Sequence, residues 1–237
     1  MAFNHLNIHK FPVLKATTTQ QGRRYLVDGM MWPSVTTVIG HSKKKSIMEW
    51  RQKVGEEEAN AISKRASTRG NKCHKLCELY LENKSISQYS DDPLSMGLFY
   101  QIKPYLDSID NIHALEAPLC SSLLKMAGRV DCIAEYNGEL AIIDFKTSTK
   151  YKREEWIHDY FAQETAYAIM FQELTGLIPK KLVTIIACET GEPQVFEIYD
   201  TIKYARKLKE YNDAYRSAHG NWYCLLYTSP SPRDFVR

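Results

Sequence analysis

Asn137-Gly138, set between two runs rich in apolar and β-branched residues, constrains the fold of this chain more than any other feature. Both residues tolerate positive φ, which makes the pair the strongest short signal for a two-residue β-hairpin. Such a loop sets Tyr136 opposite Glu139 and, further along the ladder, Asp131 opposite Asp144 on the same face. Facing Cβ atoms lie only about 4.5–5.5 Å apart, and like charges there repel. A divalent cation between the two carboxylates turns that repulsion into attraction, and hard oxygen donors suit Mg²⁺ or Mn²⁺. Alternation also puts Lys146 on this face, where its ammonium can orient a water and stabilise charge developing on a phosphate. Gly128, at the entry to the first strand, leaves room for a ligand to approach. The plain alternative is a surface hairpin with two solvated aspartates and a salt-bridging lysine. The Asp144-Phe145-Lys146 triplet taken alone favours that alternative.

The 237 residues suffice for a substantial core, and a hydrophobic fraction of 44% with 25% charged residues is ordinary for a globular protein. A net charge of +3 permits a polyanionic partner without demanding one. The six cysteines form no CxxC pair and read as free thiols in a reducing compartment; Cys73 and Cys77 read as core thiols. No signal segment opens the chain and no apolar run is long enough to span a membrane, so a cytoplasmic setting is expected.

Along the chain, Tyr25 to Val27 reads as a short strand turning at Asp28-Gly29, with N-cap hydroxyls at Ser34, Thr36 and Thr37 ahead of a helix. Helical segments follow around Trp50, over Glu56–Lys64, from Arg69-Gly70 to Leu81, and over Leu94–Leu106. Strands are expected at Ala114–Cys120, Gly128–Tyr136, Leu140–Ser148, Leu182–Cys188 and Val195–Tyr199. A helix from Glu154 to Leu174 separates the third strand from the fourth, and a basic helix covers Ile202–Ala218. The expectation is one α/β domain over residues 1–222, with a mostly helical part to about residue 110 and a sheet core over 111–220. Residues 223–237, with Ser229-Pro230-Ser231-Pro232, read as a disordered or non-native tail.

The run Gly128-Arg129-Val130-Asp131, then Ile143-Asp144-Phe145-Lys146-Thr147-Ser148, resembles the PD-(D/E)xK nuclease superfamily, above all its RecB-like exonuclease branch. Arg69-Gly70 with His74 and Glu78 looks like that branch's upstream helix, and Gln163 with Tyr167 looks like its Q-x-x-x-Y helix. Pro33-Ser34-Val35-Thr36-Thr37 and Asp131–Tyr136 are similar to the mitochondrial genome-maintenance exonucleases and their phage relatives. The resemblance implies a restriction-endonuclease-like mixed β-sheet flanked by helices, with a helical N-terminal layer. It also implies a metal-dependent deoxyribonuclease acting on single-stranded or flap DNA in replication, recombination or repair. His74, Asp131, Asp144 and the Phe145 carbonyl would hold the metal, with Lys146 catalytic. Glu116 would bind a second ion or hold Lys146. Arg69, Gln163, Tyr167 and Ser34 would meet the DNA, and Lys43–Lys45 could line its path. Some relatives hold an iron–sulfur cluster through a group of C-terminal cysteines. Only Cys224 lies beyond the last helix here, so no cluster is expected. A structure-specific endonuclease on duplex DNA and a catalytically silent nucleic-acid-binding module remain open alternatives, and replication or recombination proteins are conceivable partners.

Overall fold

The computed structural model describes residues 2–220; the expected tail at 223–237 and Cys224 lie outside them. The Asn137-Gly138 turn forms as its chemistry requires, with φ of 52° and 79°. It joins β5 (Met126–Tyr136) to β6 (Glu139–Ser148) in the expected register, with Tyr136 facing Glu139 and Cys132 facing Ile143. With β4 (Ile109–Ser121), β7 (Lys181–Cys188) and β8 (Gln194–Ile198) these strands build one sheet, ordered β4-β5-β6-β7-β8. The β6–β7 pair is parallel and the others antiparallel, because the helix α5 (His158–Thr175) carries the chain back across the sheet. Every residue of β7 is buried, as a strand covered on both faces must be.

Two cores fill the two faces. The longest helix, α3 (Glu56–Leu81), and α4 (Pro93–Leu106) pack Leu76, Phe99 and Ile102 onto Ile143, Phe145 and Ile185. On the other face α5 and α6 (Thr201–His219) pack Phe161, Met170, Tyr204 and Leu208 onto Ile133, Ile142 and Ile186. The mixed sheet flanked by helices is therefore the expected fold class. Cys73 and Cys77 are core residues, fully buried beside Leu76.

Two features depart from expectation. First, α3 runs unbroken through Arg69-Gly70, where the sequence suggests a restart. A helical glycine costs about 1 kcal/mol, and here α3 packs closely on β6: a Cβ on Gly70 would lie 3.8 Å from Thr147 Oγ1. Second, residues 15–33 fold as a three-stranded antiparallel sheet, β1 (Lys15–Thr19), β2 (Gly22–Val27) and β3 (Met30–Pro33), where only Tyr25–Val27 was expected. β1 is exposed throughout and carries no apolar alternation, so nothing in its sequence announces a strand. Tyr25, Val27 and Trp32 bury against Ala127 and fix the small sheet to the outer part of β5. Between it and α3 lie α1 (Val35–His41) and α2 (Lys44–Val54). Among the described residues no helix is long and apolar enough to cross a membrane.

Candidate metal centre

The strand pairing stops one step short of the two aspartates. Cys132 and Ile143 are the last ladder pair, and beyond them the Asp131 carboxylate accepts the Phe145 amide N–H at 3.0 Å. The aspartates are thus neighbours, but not the ladder pair that the turn alone implies. A side chain replaces the missing rung.

A second irregularity sits at the same level in β4. Glu116 lies opposite Asp131, between the pairs Leu115–Cys132 and Ala117–Val130, and has φ of 48°. Left-handed backbone at a non-glycine residue costs roughly 1–2 kcal/mol and gathers at functional sites. Its effect is a slip in alternation. Ala114 and Ala117 both face the α5 core, and so do Ile133 and Val130, three residues apart in each strand instead of two. The slip frees the Glu116 and Asp131 side chains to point towards the lip beside α3. His74, on α3, brings Nδ1 to 3.3 Å from Asp131 Oδ2.

His74, Glu116 and Asp131 each present a ligand atom, all within 4.8 Å of one another. They border an open groove of about 470 Å³ that also touches Arg23, Asn71 and Arg129. Asp144 lies directly behind, only 2% exposed. Its Oδ1 accepts Gln163 Nε2 at 3.0 Å, and its Oδ2 forms an ion pair with Lys146. Burial and the neighbouring Asp131 raise the Asp144 carboxyl to about 7, against the pull of Lys146. Burial, Asp131 and Glu78 raise Glu116 to about 7 as well. Burial likewise holds the His74 imidazole below its ordinary range, although Asp131 pulls the other way, which favours the neutral form that binds metals. Burial alone would lower the Lys146 ammonium, but Asp144 and Asp131 outweigh it and keep it protonated. Crowded carboxyls that resist ionising, beside a neutral imidazole, form a donor set that fits a hard divalent cation.

The sequence model of the PD-(D/E)XK nuclease superfamily matches residues 49–219, well over half of the chain, including His74, Glu116, Asp131, Asp144 and Lys146. The chain belongs to the PD-(D/E)XK nuclease superfamily. It is 28% identical over 129 residues to human mitochondrial genome maintenance exonuclease 1, covering 51% of this chain and 38% of that protein. The Xenopus tropicalis protein of the same name is 26% identical over 215 residues, covering 80% and 59% respectively. The chain thus spans between about two and three fifths of the length of these curated relatives. A solved structure from Eubacterium rectale, whose assignment as an exonuclease is provisional, aligns with a TM-score of 0.42 and 13% identity, over 69% of this chain and 77% of that one.

Around this candidate site, four residues expected to meet DNA turn inward. Ser34 is buried and caps α1, its Oγ accepting Thr37 N–H at 3.0 Å and donating to Thr37 Oγ1 at 2.8 Å. Arg69, 8% exposed, donates to Thr147 Oγ1 and Thr149 Oγ1 at 3.1 and 3.0 Å and pairs with Glu189. Tyr167, 3% exposed, is a core residue and has no face free for a base. Gln163 holds Asp144. Gly128 makes room for Tyr167, not for a ligand: a Cβ there would lie 2.7 Å from Tyr167 Oη. Of the basic run, Lys43 is paired with Asp159 at 2.7 Å.

Two participants have no signal in the sequence. Glu164, fully buried and hydrogen-bonded to Thr184, lies close enough to Asp144 for their charges to interact, and burial keeps its carboxyl well above the ordinary range. Its place next to Gln163 on α5 was the only available hint. Arg23 comes from the small sheet, which the sequence does not reveal.

Proposed function

We propose that this protein is a metal-dependent deoxyribonuclease that hydrolyses single-stranded or flap DNA from an end. One observation carries the reading: the His74–Glu116–Asp131 donor cluster opens onto a groove, directly in front of the buried Asp144–Lys146 pair. A Mg²⁺ or Mn²⁺ ion held by His74, Glu116 and Asp131, with Asp144 behind, would polarise a phosphoryl oxygen and acidify a bound water. The chain's own groups do the rest. Lys146, kept cationic by Asp144, stabilises charge that develops on the phosphate and orients the attacking water. Gln163 fixes the Asp144 carboxylate by its hydrogen bond, and Asp144 in turn fixes the ammonium. The Phe145 amide holds Asp131 in place, so two of the acidic groups are anchored before substrate arrives.

Action from an end and a role in genome maintenance follow the names of the curated relatives. The test is cleavage of end-labelled single-stranded, duplex and circular DNA with Mg²⁺, Mn²⁺ or chelator. Metal-dependent loss of linear single strands, with circles left intact, is the expected result. Nicked circles would make the enzyme an endonuclease, and binding without cleavage under every metal would make it a silent module.

A further inference from the structure

We propose that Arg23 grips a backbone phosphate of the nucleic-acid strand beside the metal groove, and that Ser34 and Thr37 act as positioning residues that hold it there. Arg23 borders the same groove as His74, Glu116 and Asp131. The other cations on that groove are occupied: Lys75 pairs with Glu78 at 2.7 Å, and Arg129 Nη1 donates to the Glu116 carbonyl at 2.7 Å. Among the described residues, the Arg23 guanidinium has no ion-pair or hydrogen-bond partner.

Its backbone is the opposite case. The Arg23 N–H donates to Thr37 Oγ1 at 3.0 Å, and its carbonyl accepts both Thr37 Oγ1 at 3.1 Å and the Ser34 N–H at 2.9 Å. Thr37 Oγ1 also accepts Ser34 Oγ, so that hydroxyl spends its one proton and both lone pairs inside the clamp. The preceding residue is equally committed: a Cβ on Gly22, whose φ is +114°, would lie 2.5 Å from Thr37 Cγ2. Glycine is therefore needed for the strand to press this closely on α1.

A cation whose main chain is held by three hydrogen bonds while its fork stays empty is preorganised for a ligand from outside the chain. Of the groove's carboxylates, Glu78 is paired with Lys75 while Glu116 and Asp131 cluster with His74, which leaves the anion to come from substrate. A phosphodiester matches the planar guanidinium with two parallel hydrogen bonds. The Ser34 and Thr37 hydroxyls, saturated within the clamp, act on DNA only through Arg23.

The inference rests on the deoxyribonuclease reading, and its test separates the two. Binding of a fluorescent single-stranded oligonucleotide is measured by anisotropy in Ca²⁺ over a salt series, for wild type, R23A, R23K, T37V and R23A/T37V. Thermal melting of each variant checks the fold. R23A should bind about tenfold more weakly and lose about 0.7 from the slope of log affinity against log salt, one phosphate contact on a single strand. KM should rise in proportion, with kcat changing far less. R23K should recover part of the affinity and the slope. T37V should weaken binding in the wild-type background and add nothing to R23A. A wild type that binds and cuts while R23A matches it in affinity and slope overturns the Arg23 assignment alone. Equal effects of T37V in both backgrounds overturn the clamp. A wild type that binds no DNA removes the assignment together with the reading beneath it.

Discussion

Replacing Gly128 by alanine tests whether the acidic strand and α5 are fitted to each other as closely as the structure indicates. The new Cβ would stand 2.7 Å from Tyr167 Oη, 2.8 Å from Cε1 and 3.2 Å from Cζ. Contact at about 3.5 Å requires the ring to retreat by roughly 0.8 Å. Tyr167 sits in the core beside Ala166, Met170 and Phe171 and has nowhere to go. Overpacking of this kind costs about 1–3 kcal/mol, or a fall in Tm of roughly 2–12 °C for a chain of this length. Tyr167→Leu deletes all three clashing atoms at a cost of its own. In that background G128A should be almost neutral, so urea melts of wild type, both single variants and the double variant should show a favourable coupling of about 1–3 kcal/mol. Additivity to within about 0.5 kcal/mol would refute the claim that Gly128 exists to admit this ring.

Lys146→Ala should abolish cleavage of single-stranded DNA yet leave oligonucleotide affinity in Ca²⁺ nearly intact; unchanged turnover would remove Lys146 from catalysis. Arg69→Ala leaves Glu189 with the exposed Arg65 as its ion-pair partner and removes the bonds to Thr147 and Thr149; it should cost about 1–3 kcal/mol by chemical denaturation, whereas an arginine that served DNA would lose affinity and keep its stability. In chelator, Glu116 and Asp144, both raised to about 7 from 4.5 and 3.8, favour the fold while they are protonated. That contribution is fully present below about pH 4, and is lost as pH rises through 7. Melting temperatures in chelator should therefore fall between pH 5 and 8, and Mg²⁺ should reverse the fall at pH 8; a metal-insensitive profile would sink the shared site.

The sequence was most legible where chemistry is local. Asn137-Gly138 fixes its own turn, and from it follow the β5–β6 register and the proximity of Asp131 to Asp144. Motif resemblance singled out His74, Glu116 and Lys146, which the fold then gathers around Asp131 and Asp144. Resemblance marks positions without saying which way they face, and so Ser34, Arg69 and Tyr167 were expected at the DNA when they serve the interior. The left-handed Glu116 and the end of pairing after Cys132 arise only when three strands meet. Arg23 was hidden for a related reason: β1 and the first half of β2 carry no apolar residue but Ala16, and their worth lies in what they lean on.

The change of side at Glu116 and Asp131 makes one ribbon serve two masters. β5 stays paired with β4 on both sides of the acidic level, but beyond Cys132 it parts from β6, and at its far end Ala127 packs against Tyr25 and Trp32. The acidic residues stand at the joint, released from the regular mesh of main-chain bonds that would otherwise dictate their direction. Where β5 parts from one neighbour, the seam leaves oxygens of Glu116 and Asp131 within 4.8 Å of a His74 nitrogen, a spacing that suits an ion.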